Sequence, residues 1–207
     1  MNLHDNQSLF AAAVQFASRN KEDGGLGIKP LFIEKDYWIC RSLKFLSDSE
    51  VEGKAVFKGG TSLSKAYGLE GFEINVLDPE RTATEKIVSL LRYSLADDYI
   101  SELRAKIRHF YDLHFLWHDE TIRVFLQSDN FRTEFKTLIE SDQARFNEPL
   151  GWQSKSFSES PLLTSFDGIW DQLKNTYIRE LPDLAYQNIP SEQEIKQSFI
   201  ELSSQLF

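Results

Sequence analysis

The chain has 207 residues, 41% hydrophobic, 13% aromatic and 27% charged, the make-up of a soluble globular protein long enough to bury a core. Sixteen Phe, seven Tyr and four Trp exclude a disordered chain, and no apolar run nears the ~18 residues of a membrane span. The net charge of −9 excludes a general attraction to nucleic acid, although residues 81–108 hold six basic side chains against four acidic ones and leave room for a local phosphate site. The single cysteine, Cys40, excludes an internal disulfide framework and favours a reducing compartment. The start, Met1-Asn2-Leu3-His4-Asp5, lacks the basic and apolar regions of a signal peptide, so the expected location is the cytoplasm, with no membrane partner.

Helical spacing dominates. Leu9, Phe10, Ala13, Val14 and Ala17 predict a first helix, followed by a Gly-rich turn from Lys21 to Pro30 and a second helix over 33–46. Lys54–Phe57 reads as a strand that runs into Gly59-Gly60 and a helical segment over 61–67, and the alternation of residues 73–77 reads as a second strand. Asp78-Pro79 supplies an N-cap and a first-turn proline for a helix with Ala83, Ile87, Leu90 and Leu91 inward. Ile100, Leu103, Ile107, Phe110, Tyr111 and His114 form the stripe of one further helix, and Phe131, Phe135, Leu138 and Ile139 that of another. Residues 142–164 read as a loop. Phe166, Ile169, Trp170, Leu173 and Tyr177 then restore the helical period, and Ser191 with Glu194 makes a capping box for a last helix. The expected class is a helix-rich α+β chain with a small sheet, divided into residues 1–78 and a helical C-terminal region, 79–207.

The strongest chemical pattern is Val56-Phe57-Lys58-Gly59-Gly60-Thr61-Ser62-Leu63-Ser64-Lys65. A strand that enters two glycines and then a helix presents free backbone N–H groups at the positive end of a helix dipole, where an anion can approach closely. The spacing does not fit a Walker A loop. An ordinary strand-to-helix turn would look the same.

Ile33-Glu34-Lys35-Asp36-Tyr37-Trp38, the Gly-Gly segment through Leu69, Val76–Thr82 with Glu85-Lys86-Ile87, and Lys106-Ile107-Arg108-His109-Phe110-Tyr111-Asp112-Leu113 together resemble the AbiEii/AbiGii family. These are nucleotidyltransferase-fold proteins of abortive-infection toxin–antitoxin systems, a form of phage defence. The resemblance implies a nucleotidyltransferase-like fold with a reduced sheet and a C-terminal helical bundle. It also implies transfer of a nucleotide from a nucleoside triphosphate to an RNA acceptor, tRNA in relatives, with magnesium as cofactor and a cognate antitoxin as partner. Carried onto this sequence, the phosphate-binding residues are Lys58, Gly59, Gly60, Thr61, Ser62 and Arg108, and the catalytic residues are Lys86 and Asp112.

One departure bears on activity. In the family the Lys-Ala-Tyr-Gly-Leu segment leads into a strand whose alternating acids hold the divalent metals. Here Leu69 runs through Glu70-Gly71 into Phe72-Glu73-Ile74-Asn75, and that acidic pair is absent. Either the shortening is natural or residues of the full protein are missing from this sequence. Glu73 and Asn75 share a strand face, but Asn substitutes poorly for a carboxylate on magnesium. The alternative to a nucleotidyltransferase, for a short form of this kind, is a catalytically dead nucleotide-binding or interaction module, and an open sheet edge left by the missing strand favours self-association.

The residues also carry plainer readings. Lys86 lies at the margin of an apolar stripe, where a snorkelling lysine fits. Asp112 lies far from its stripe, with Arg108 four residues earlier, the placement of a surface ion pair. Lys35 and Asp36 open a helix. His114 and His118 stand at zinc-ligand spacing without a third ligand. Arg104 with His109, and Arg108 with His114, resemble the Arg-x4-6-His pattern of HEPN ribonucleases, which cleave RNA without metal.

Overall fold

The computed structural model describes residues 3–49, 56–57, 75–76, 78–184 and 189–206. They fall into two compact units, the first reaching Phe57 and taking in Asn75–Val76, the second running from Asp78 onward.

In the first unit, α1 (Gln7–Ser18) starts where the Asn6 side chain accepts a hydrogen bond from the Leu9 amide at 3.1 Å. The chain reverses through a 3-10 turn, Lys21–Asp23, that ends on Gly24 at φ 77°, a left-handed conformation glycine adopts without strain. Pro30 then opens α2 (Pro30–Ser47), its fixed φ suiting a first helical position. Val14 and Leu43 are the buried apolar side chains of this pair. His4, Phe10, Tyr37 and Trp38 gather their rings within 4.9–5.9 Å, and His4 Nδ1 shares a 2.6 Å hydrogen bond with the Tyr37 hydroxyl. Two residues of β1 (Val56–Phe57) pair in parallel with β2 (Asn75–Val76), Val56 opposite Asn75.

The second unit is built around α3 (Pro79–Ser94). Asp78 caps it by accepting from the Glu80 amide at 2.8 Å. Four further helices and a short one pack on α3: α4 (Tyr99–Ala105), α5 (Ile107–His118), α6 (Glu120–Leu126), α7 (Asp129–Arg145) and the single turn α8 (Pro161–Thr164). An amphipathic helix leaves one face in water. With neighbours on every side α3 instead buries Ala83, Ile87, Leu90 and Leu91 on its apolar face and Thr82, Lys86 and Arg92 elsewhere around its girth. Behind α5 lie α9 (Phe166–Leu184) and α10 (Glu192–Ser203), joined to it through Phe110, Phe166, Trp170 and Phe199, whose ring centroids stand 4.5–5.9 Å apart. The capping box of α10 is present: the Ser191 hydroxyl accepts from the Glu194 amide at 3.2 Å, and Glu194 Oε2 accepts from the Ser191 amide at 2.7 Å.

Three expectations need correction. The α+β, nucleotidyltransferase-like class with a small sheet is not what forms. The described residues are overwhelmingly helical, and their only β structure is one pairing two residues long. Apolar stripes on successive helices cover one another, so no sheet layer is needed to bury them. The single helix expected through His114 is two, α4 and α5, parted at Lys106 with φ −108° and ψ 14°. The loop expected over 142–164 begins later, since α7 runs to Arg145, and it contains two 3-10 turns and α8. Among the described residues no helix is long and apolar enough to cross a membrane.

Leu173 is completely buried on α9, so Leu173→Ala should destabilise the second unit by about 2–5 kcal/mol through lost burial and the cavity left behind. Ser191→Ala, which removes a cap and spares the core, should cost only about 1 kcal/mol. Urea unfolding followed by circular dichroism measures both.

Candidate active site

Thr82, Glu85, Lys86, Ser89 and Arg92 recur at three- and four-residue intervals along α3 and therefore share one face. They form one wall of a cavity of about 240 Å³. The first turn of α5 supplies His109. The opposite wall is Leu138 and Asp142 of α7, with Phe146 just past its end.

Lys86 and Asp112 meet beside this cavity, Nζ to Oδ2 at 2.6 Å, and their residues are only 6% and 7% exposed. The surface ion pair expected for Asp112 is thus a buried one. Periodicity places Asp112 away from the apolar stripe of α5, but that helix is packed between α10 and α3, so the face opposite the stripe meets α3 and not water. Arg108, one turn earlier, approaches the other carboxylate oxygen at 3.9 Å and keeps its guanidinium partly in solvent. A second buried ion pair lies farther along the same wall, Arg92 Nη1 to Asp142 Oδ2 at 2.9 Å. The Arg92 guanidinium also stands 4.7 Å from the ring of Phe146, 5.0 Å from Tyr93 and 5.5 Å from Trp152.

Three polar groups at the cavity are left over. Thr82 Oγ1 and Arg92 Nε are buried with no hydrogen-bond partner among the described residues. The ring nitrogens of His109 have none there either. Burial pushes the His109 imidazole down to about 3, and the neighbouring charges of Lys86, Lys106 and Arg108 push the same way, so it is neutral near pH 7.

The remaining expected residues are scattered. Lys58, Gly59, Gly60, Thr61, Ser62 and Glu73 lie outside the described residues. Lys35 and Asp36 sit on α2 in the first unit, where Asp36 Oδ2 faces Cys40 Sγ at 3.8 Å. Arg104 donates to the Gln172 carbonyl at 3.4 Å, and His114 Nδ1 bonds the Ser198 hydroxyl at 2.8 Å on the far side of α5, so neither Arg–His pair of the ribonuclease pattern converges on the cavity. His114 and His118 have ring centroids 4.4 Å apart. Among the described residues no group of three or more His, Cys, Asp or Glu could hold a metal ion. Asp112 is already held by Lys86, and among the described residues no second carboxylate joins it, so these residues do not fit a magnesium site.

The family described as nucleotidyl transferase AbiEii toxin, type IV TA system, matches residues 68–198. The chain belongs to that family. The AbiEii match takes in Lys86, Arg108 and Asp112 and begins after Lys58–Ser62. A toxin of a toxin–antitoxin system implies a cognate antitoxin. No curated protein and no solved structure matches the chain.

Arg92, Asp142 and Phe146 were not singled out from the AbiEii sequence, although one signal was there. The helix expected to turn Ala83, Ile87, Leu90 and Leu91 inward also carries a regular polar stripe from Thr82 to Arg92, which marks a face turned toward something other than the apolar core.

Asp112→Ala should cost about 3–5 kcal/mol, because it strands the buried Lys86 ammonium, whereas the double change Lys86→Met with Asp112→Leu should recover most of that loss. Equilibrium unfolding at neutral pH reads both. The neutral His109 adds a pH dependence. Its folded value lies below the unfolded value of 6.5, so its contribution is complete above that pH. As the pH falls from 6.5 toward 3 the unfolded chain binds the proton first, and stability should drop by up to about 1.4 kcal/mol per pH unit for this group. His114 is lowered as well, by burial and by His118, and adds to the same slope. Between pH 6.5 and 5, His109→Gln should flatten the curve measured by urea midpoints.

Proposed function

We propose that this chain transfers a nucleotide from a nucleoside triphosphate to an RNA acceptor, a tRNA, and acts through that transfer as the toxin of its system. What supports the reading is the family match together with the buried Lys86–Asp112 pair, which the match covers, beside a cavity. In the reaction a hydroxyl oxygen of the RNA attacks the α-phosphorus, the bond from that phosphorus to the bridging oxygen breaks, and pyrophosphate leaves with the electron pair. The hydroxyl proton passes to solvent. Charge grows on the phosphoryl oxygens as the attack proceeds, and an ammonium held in a dry site stabilises it most. Lys86 takes that part and Asp112 fixes the direction of its amine. Arg108, partly in solvent and close to the pair, meets the outer phosphates. Lys58, Gly59, Gly60, Thr61 and Ser62 belong to the proposal as further phosphate contacts, and the division into residues 1–78 and 79–207 as its domain plan.

Incubation with labelled nucleoside triphosphates, bulk tRNA and magnesium should attach label to the RNA. Lys86→Ala and Asp112→Asn should each lower the rate by about 10²–10³-fold. Triphosphate binding without any labelling would replace this reading by that of a catalytically dead binding module. RNA that is shortened, and no longer so after His109→Ala, would make the protein a ribonuclease.

A further inference from the structure

The cavity beside the Lys86–Asp112 pair offers a whole triphosphate little unmatched positive charge. Both cations on its α3 wall are already matched, Lys86 by Asp112 and Arg92 by Asp142, and Glu85 on the same wall is paired with Arg81 at 3.6 Å. Only the reacting phosphoryl group then lies against Lys86, with the outer phosphates kept toward Arg108 and solvent, because desolvating all of them inside would cost more than the walls return. An uncharged ligand has no such difficulty.

The remaining features agree on the kind of uncharged ligand. A volume of about 240 Å³ is enough to take one ring system. Leu138 and the ring of Phe146 give apolar surface, and Phe146 is 46% exposed although it borders a cavity. Beside that surface stands the His109 imidazole, whose ring nitrogens have no hydrogen-bond partner among the described residues, with the polar residues Thr82 and Ser89 on the same lining. A flat ring with apolar faces and a polar edge satisfies both sets at once.

We infer that this cavity is a nucleobase pocket, in which Phe146 covers a face of the ring and His109 bonds its edge and selects among the bases. His109 suits this work because it stays neutral: an imidazole held near 3 keeps one donor and one acceptor nitrogen across the physiological range. A charged side chain at that place would lose one of the two. The inference rests on the proposed nucleotidyl transfer for the source of the base, which is either the donor triphosphate or the terminal nucleotide of the acceptor RNA.

The test uses the whole chain and reads binding rather than transfer. Calorimetry with adenosine, guanosine, cytidine and uridine should show millimolar binding of one of them, preferred over the others by about tenfold. His109→Gln should reduce that preference to about twofold or shift it to another base, and Phe146→Ala, at a half-exposed position, should weaken all four about fivefold. Tripolyphosphate should not displace the bound nucleoside. Displacement by a nucleoside triphosphate assigns the pocket to the donor base, and displacement by a short single-stranded RNA assigns it to the acceptor. The pocket falls if no nucleoside binds, if tripolyphosphate alone competes, or if both variants bind all four nucleosides as the parent chain does. Its failure differs from that of the transfer reaction: nucleosides bound through His109 with no labelled RNA would leave the pocket and remove the reaction, and labelled RNA without nucleoside binding would do the reverse.

Discussion

Lys86 and Asp112 sit side by side where water does not reach, and much of the second unit is arranged so that they can. Removing either charge from water costs several kcal/mol, and only a close partner offsets it. A separation of 2.6 Å between Nζ and Oδ2 provides that partner only if α3 and α5 cross at this level with little freedom to slide. The aromatic contacts of Phe110 with Phe166, Trp170 and Phe199 hold α5 from behind, and the Arg92–Asp142 pair ties α7 to α3. The pair is therefore weak evidence for stability and strong evidence for geometry. Two apolar side chains of similar volume would fill the space at less cost.

The same pairing sets the electrostatics of the cavity. A lone buried lysine would relieve its strain by giving up its proton, and a lone buried aspartate by taking one. Held 2.6 Å apart, the two groups largely cancel each other at a distance, so the pair does not make the whole cleft attractive to every anion. Arg108 differs. It is nearly 4 Å from Asp112 and reaches solvent, so its field extends outward from the pair.

Local features were legible in the sequence because local chemistry decides them. Asp78-Pro79 begins a helix since proline lacks only an N–H that no helix start uses, and Ser191 with Glu194 caps one since the two groups satisfy each other three residues apart. Motif wording drew attention to Lys86 and Asp112, but their buried pairing was not legible in the sequence. Spacing alone put Asp112 on the surface, because period describes one helix at a time and cannot show that α5 has a neighbour on both faces. The break at Lys106 was hidden for a related reason: the apolar stripe continues across it from Leu103 to Ile107, and what ends the helix is the backbone of one polar residue whose amine turns to the Tyr93 ring, 4.0 Å away. The sheet failed differently. Alternation over residues 54–57 and 73–77 is a strand pattern, yet the described pairing is two residues on each side, and among the described residues there is no third strand.

Arg92 shows how the cavity can hold an incompletely bonded cation. Its terminal nitrogen is satisfied by Asp142, and its guanidinium lies near the rings of Phe146, Tyr93 and Trp152, an environment that lowers the cost of burying a diffuse charge. Lysine would not be tolerated equally, since a compact ammonium needs more hydrogen bonds than this wall offers. The seat leaves Nε unbonded and fixed in direction. The same holds for Thr82 Oγ1, also on this face of α3 and without a partner among the described residues. Both atoms expose almost no surface, so the contents of the cavity do not satisfy them. Leaving both unsatisfied makes this wall less stable than a fully bonded one would be, a cost that the packing of α3 against its neighbours has to offset.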